Sequence, residues 1–474
     1  MNIIEAKNEI KSAVRIYLEK DENGDYVIPE ERQRPVFLIG APGIGKTAIM
    51  SKIADELGIG YIGYTITHHT RQSAIGLPYI SSKVFGGQTY SVTEYTMSEI
   101  VASVYEAIEK QGKKEGILFI DEINCVSETL APAMLELLQR KKFGPHKIPD
   151  GWILTAAGNP EEYNKSVNEL DMVTLDRVKK IVVEPDYDAF KNYAYNNGVH
   201  DSVISFLSLH SEYLFKAERT EGGFYFVTPR GWEDLSTAIR EYERLGIAVT
   251  EQFVLQYVQH PQAAAEYMRF YKIYSRFGEL KSGERIENGE VDKAQVDGEN
   301  FEVRFALAEI LRAKATKLAE KASAKLSAVE YMEGVVLKAE KDVRLLLSET
   351  ESLIKSLQSN KWNRYKKSAY KPIIGVFESQ NPKVLCESYK AECKEYARQA
   401  IGKIANVLGF AERSLGSGQE YVALCSGLVA NEDFISLITA VDWQSVYGYL
   451  SVVLDGSQDD FERRAKNLLK GGKY

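Results

Sequence analysis

Apolar positions over the first 185 residues alternate between two rhythms, a period near 3.6 and short unbroken runs, which together predict an α/β core. Ile10, Ala13, Val14, Tyr17 and Leu18 form one stripe of a helix over residues 2–20, ended by the Asn-Gly turn within 21–25. Pro35 introduces the continuous run Val36-Phe37-Leu38-Ile39, the pattern of a parallel strand buried on both faces. Ile49, Met50, Ile53 and Leu57 return to helical spacing; residues 59–66 read as a second strand, closed by the polar run 67–72. Residues 79–92 hold two short β-like runs around Gly86-Gly87, a hairpin that either projects from the core or is a plain loop excursion. A helix over 97–111 precedes the apolar run 117–120. A helix over 128–141 follows, with Leu130, Met134, Leu137 and Leu138 on one face. Residues 143–152 make a second hairpin-like excursion, 152–157 a fourth strand and 181–183 a fifth.

Helical spacing dominates the remainder. Residues 185–260 read as mostly helical, and 279–302, with Glu284, Glu287, Glu290, Asp292 and Asp297, as an acidic linker or loop. Leu311, Ala315, Leu318, Ala322, Leu326, Val329, Met332, Val336, Ala339, Val343, Leu346, Leu353 and Leu357 then step by threes and fours without a proline. That seam predicts one coiled-coil-like helix of roughly 70 Å, serving equally as the core of a bundle or as a projecting coiled coil. The last hundred residues read as helical, with breaks at Pro372, Pro382 and Gly416 to Gly418.

The candidate chemistry sits at the ends of the strands. Gly40-Ala41-Pro42-Gly43-Ile44-Gly45-Lys46-Thr47, followed by Ala48, has the P-loop spacing between a strand and a helix. Glycines let backbone N–H groups curl around an anion, and the helix turns its positive end to the phosphates. Lys46 would reach the β- and γ-phosphates, and the Thr47 hydroxyl would hold Mg²⁺. The run 117–120 delivers Asp121 and Glu122, the first to support Mg²⁺, the second to polarise an attacking water. An apolar strand ending in Asp-Glu is common, but one following a P-loop at this distance is specific. Asn159, in Gly-Asn-Pro, either orients that water or simply makes an Asn-Pro turn. Arg177 and Arg230, the latter following a proline at the start of a helix, read by themselves as surface ion-pair partners.

Composition narrows the classes. A chain of 474 residues, 44% hydrophobic and 27% charged, can bury full cores in about three domains. A net charge of −8 argues against broad binding to nucleic acid or anionic membrane. Four cysteines make no disulfide framework, and Cys386 and Cys393, on one helical pattern, lack the second pair a metal site needs. No apolar run is long enough to span a bilayer and no signal peptide is evident, so the expected location is cytoplasmic.

Together these residues resemble the AAA+ ATPase superfamily, and within it the MoxR family, over about residues 30–275. Gly40 to Thr47 matches Walker A, and 117–122 matches Walker B. Asn159 looks like sensor 1, Arg177 in Leu-Asp-Arg like the arginine finger presented by a neighbouring subunit, and Arg230 in Thr-Pro-Arg like sensor 2. The two hairpins are similar to those of the helix-2-insert clade, which includes MoxR proteins, magnesium-chelatase motor subunits and McrB-type motors. Gly158 departs from the glutamine more often found in MoxR proteins, and the long helical C-terminus is no standard part of the family. The resemblance implies an α/β P-loop NTPase core with a parallel sheet over 1–185 and a small α-helical lid over 186–278. The linker would occupy 279–302, and a helical C-terminal domain 303–474. It implies a ring, usually hexameric, that hydrolyses ATP with Mg²⁺ to remodel a protein client, partnered by a von Willebrand A-domain protein. The alternatives are a McrB-like motor of a nucleic-acid-targeting defence system, which would favour GTP, and a nucleotide-switched scaffold.

Overall fold

A computed structural model describes residues 1–68, 74–163, 167, 171–221, 223–278, 284–336, 350, 364–377, 382–441 and 444–453. The polar positions 69–72 and the seam positions Ala339, Val343, Leu346, Leu353 and Leu357 lie outside the described residues. The chain divides into two compact units, one of residues 1–193, 210–241 and 252–263, the other of 194–209, 242–251 and 264–474.

The first unit begins α1 (Ile3–Leu18), β1 (Val36–Gly40), α2 (Lys46–Leu57), β2 (Gly60–Thr65), β3 (Pro78–Phe85), β4 (Gln88–Tyr95) and α3 (Glu99–Gln111). It continues β5 (Gly116–Asp121), α4 (Ala131–Arg140), β6 (Lys142–Phe143), β7 (His146–Lys147), β8 (Trp152–Gly158), α5 (Met172–Leu175) and β9 (Lys179–Val183). Five strands pair in parallel in the order β2-β5-β8-β1-β9. Alternation of side chains sorts the continuous apolar runs onto two faces. Phe37, Leu118, Ile120, Leu154 and Ala156 cluster with Ile100, Val104, Met134 and Leu137, from α3 and α4. Val36, Leu38, Ile117, Phe119, Ile153 and Ala157 cluster with Ile10, Val14, Met50 and Ile53, from α1 and α2. The sheet is thus the middle of three layers. Helix α1 is set by a capping box in which Asn2 Oδ1 accepts from the Glu5 N–H and Glu5 Oε2 accepts from the Asn2 N–H.

Two hairpins stand where the sequence pattern put them. Strands β3 and β4 pair antiparallel from Pro78↔Tyr95 to Phe85↔Gln88, turning at Gly86-Gly87, and β6 pairs with β7. The region 185–260 departs from its mostly helical reading. It holds α6 (Tyr187–Asn196), α7 (Asp201–Leu209), then the antiparallel pair β10 (Lys216–Thr220) and β11 (Gly223–Val227), and then α8 (Pro229–Leu245) and α9 (Glu251–Leu255). The aromatic run Phe224-Tyr225-Phe226 suits a strand, whereas Lys216 to Thr220 is polar and becomes one only through pairing across the turn.

In the second unit, α10 (Pro261–Arg276, begun in the first) is followed by α11 (Phe301–Val336), α12 (Arg364–Phe377), α13 (Pro382–Leu415), α14 (Gln419–Val429), α15 (Glu432–Ala440) and α16 (Gln444–Leu450). The described part of the long seam is the centre of this bundle. Leu307, Leu311, Ala315, Leu318 and Ala322 of α11 cluster with Ala397, Ile401, Ile404 and Leu408 of α13 and with Leu424 and Phe434. The stretch 284–300 packs here too, through Ile286 and Val296, with Glu287 paired to Lys314 at 2.7 Å. Pro372 is a correction: it lies inside α12 rather than breaking it, because Ala369 and Ile373 are anchored in a cluster with Met332 and Cys386. Pro382 heads α13, where its missing N–H costs nothing. Among the described residues no single helix is long and apolar enough to cross a membrane.

Candidate active site

Pairing in register brings four strand ends together in the first unit: Ile39 lies beside Gly158, Ile120 beside Ala156, and Thr65 beside Asp121. The loop after β1 therefore faces the carboxylates after β5 and the amide after β8, at the carboxyl edge where open α/β sheets bind ligands. Gly45 precedes α2 in the left-handed region (φ 93°), and no side chain caps that helix start, so its first amides are open to an anion. Gly43 needs its missing side chain twice. Its φ is 76°, and a Cβ there would lie 2.9 Å from Thr228 Oγ1 and 3.3 Å from Arg230 Cβ. The Thr-Pro-Arg segment thus sits against the P-loop, carrying the exposed Arg230.

Lys46 is buried, 8% exposed, and its Nζ donates to Gly40 O (2.7 Å), Ala41 O (2.8 Å) and Asn159 Oδ1 (3.0 Å). Burial pushes its pKa down to about 8; the Asp121 and Glu122 carboxylates oppose that shift, and the Arg230 charge adds to it. Thr47 Oγ1 donates to Asp121 Oδ2 at 2.6 Å. A hydroxyl and a carboxylate oxygen converging at the phosphate loop are the hard donors Mg²⁺ takes, with water and phosphate completing its shell, so these residues fit that ion. Among the described residues no cluster of three or more His, Cys, Asp or Glu offers an all-protein cage for a metal.

Glu122 has a positive φ of 56°, sparsely populated for a residue with a side chain. The turn is over-determined: Glu122 N donates to Asp121 Oδ1 (2.9 Å), Cys125 N to Glu122 O (2.8 Å), and Ile123 N to Ala157 O (3.0 Å). The Glu122 carboxylate accepts from Thr67 Oγ1 at 2.9 Å. Asn159 is held in turn by Asn124, whose Nδ2 donates to Asn159 O at 2.8 Å.

Lys46, Thr47, Asp121, Glu122, Asn159 and Arg230 therefore belong to one site. Arg177 stands apart from them, exposed in the turn between α5 and β9, its Nη1 donating to Gln139 Oε1 on α4. Sequence reasoning missed Thr67 and Asn124. Thr67 was visible only as the start of a polar run after β2, and Asn124 only as a polar residue two positions past Glu122. The register of β2 and β8 on β5 is what gives each its partner.

No curated protein matches the chain. Residues 35–178 match the family model of the AAA domain, dynein-related subfamily, and together with the geometry around Lys46 that match supports an AAA+ ATPase.

Proposed function

We propose that the chain is a MoxR-like ATPase that works as a ring, usually hexameric, and remodels or activates a protein complex together with a von Willebrand A-domain partner. The observation that carries this reading is the convergence of the P-loop lysine, the Thr47–Asp121 pair, Glu122 and Asn159 at adjoining strand ends. Gly40 to Ala48 would cradle the phosphates of ATP, and Lys46 would balance their charge. Thr47 and Asp121 would hold Mg²⁺, which neutralises charge on the phosphate oxygens when bound. Glu122, its carboxylate oriented by Thr67, would accept the proton of the attacking water, which Asn159 would help orient. Arg230 would meet the nucleotide from the segment packed on Gly43. Arg177, exposed and turned to Gln139, suits a finger offered to a neighbour's nucleotide, a role that contributes about 10³–10⁵ in rate where it operates. We further assign residues 1–185 to the nucleotide-binding domain, 186–278 to a lid, 279–302 to an acidic linker or loop and 303–474 to a helical domain.

Light scattering and ATPase rate, measured together with and without ATP–Mg²⁺, test the proposal. It expects mass to rise to that of a ring with nucleotide, and turnover to accompany it. A chain that binds ATP, stays a monomer and never turns over would overturn it in favour of the scaffold. A marked preference for GTP would favour the motor reading.

A further inference from the structure

We propose that Asn124 is a positioning residue for hydrolysis, its side-chain amide locking Asn159 and the Glu122 turn into one unit; this rests on the ATPase reading above. Asn124 is buried, 6% exposed, two residues past Glu122. Its Nδ2 donates to Asn159 O at 2.8 Å, and because a carbonyl only accepts, that contact fixes which way the amide points. Asn159 then accepts the Lys46 ammonium at 3.0 Å through Oδ1, so Asn124, Asn159 and Lys46 form one chain of contacts.

Gly158 bears on the same contact. A Cβ at that position would stand 2.4 Å from Asn124 Oδ1 and 2.7 Å from its Cγ, so the Asn124 amide lies directly on the glycine backbone. Here glycine is required by a close approach rather than by φ. The pairing accounts for a glycine, not a bulkier residue, ahead of Asn159: any side chain there displaces Asn124. The same turn holds Glu122 at its costly positive φ, and Ile123 N pins it to Ala157 O at 3.0 Å. Loosening Asn124 therefore frees Asn159 relative to the Glu122 turn, which its own backbone bonds still hold, while Lys46 keeps its bonds to Gly40 O and Ala41 O in the phosphate loop. Misplacements of that kind reduce turnover more than binding.

The test uses full-length Asn124→Ala, Asn124→Asp, Gly158→Ala and the double Asn124→Ala/Gly158→Ala, with Asn159→Ala as the benchmark. The readouts are kcat, ADP affinity by titration calorimetry and the unfolding midpoint. Asn124→Asp keeps the volume and removes the donor, so it separates the hydrogen bond from packing. The expected result is a loss of about 10–100-fold in kcat for each single variant, with ADP affinity kept within about threefold. The double variant should be no worse than the poorer single, because both substitutions break the same contact. Wild-type kcat in Asn124→Asp alongside a crippled Asn159→Ala would overturn the inference and leave the ATPase reading standing. A fall in kcat, affinity and unfolding midpoint together would make Asn124 merely structural, which also overturns it. A wild-type ring that binds ATP without turnover would remove both.

Discussion

Lys46 carries its charge in a place that disfavours charge, and the consequences are measurable. Burial holds its pKa near 8 against an ordinary 10.5, and burial does the same to Lys141, also brought to about 8. Between pH 8 and 10.5 the unfolded lysines keep a proton that the folded ones have lost, so folding becomes more favourable as pH rises through that window. The benefit is complete above 10.5 and gone below 8. Each lysine should contribute on the order of 2 kcal/mol to urea unfolding of the nucleotide-free chain from pH 8 to 10.5. Buried Tyr267, Tyr274 and Cys425, whose pKa values burial raises, act in the opposite sense toward the top of that window, so the lysine share is read as wild type against Lys141→Met. Lys141→Met should remove its share of the slope; an unchanged slope would contradict the burial argument. Nucleotide affinity should move oppositely, declining above pH 8 as the ammonium facing the phosphates is lost. Lys46→Ala should abolish ATP binding, while Glu122→Gln should bind ATP normally and lose about 10²–10⁴ in turnover, read by calorimetry and phosphate release.

Among the elements, the β3–β4 hairpin and α11 are opposites. The hairpin exposes apolar groups on both faces, Ile80 at 78% and Val84 at 66% on one, Phe85 at 56% on the other, so it adds little to the core. Replacing residues 79–94 by a short Gly-Ser turn should change the unfolding free energy by no more than about 1 kcal/mol and leave ADP affinity intact. Collapse of the fold on deletion would mean that the hairpin is structural after all. Helix α11 is largely enclosed and buries some of its charges, Glu309, Arg312 and Lys314 among them. Arg312 meets Glu309 Oε2 at 2.9 Å through Nε and lies 4.2 Å from the Tyr195 ring centroid, with Gly427 leaving room for its stem. Removing one partner of such a pair strands the other, so Glu309→Ala should cost about 3–5 kcal/mol in urea unfolding, and Arg312→Met with its partner changed to Leu should cost less. A seam read by threes and fours treats Arg312 as a solvated position. The bundle buries it because four helices and α7 close around α11, which spacing within one helix does not reveal.

At the scale of the molecule, the proposed ring makes each nucleotide site depend on a second copy. Arg177→Ala subunits should bind ATP and hydrolyse it poorly; mixed with Glu122→Gln subunits, they should recover part of the wild-type rate. No recovery across mixing ratios would speak against a shared site. The P-loop, the Asp-Glu strand, the sheet strands and both hairpins were legible in the chain itself, since each is a local pattern: a run, a turn pair or a spacing within a few residues. Asn159 and Arg230 were legible as candidates, but with the surface readings of each still open. What only the tertiary structure decided were relations between distant segments. Parallel register brings Thr67 to Glu122 and Asn159 to Lys46, and the fold lays Asn124 on Gly158 and Thr228 on Gly43. The β10–β11 pair exists only across its turn, and Pro372 stays helical because its neighbours are anchored elsewhere. Local sequence sets what each segment can become, whereas contacts between segments distant in the chain select which of its polar groups are buried, paired and brought to the site.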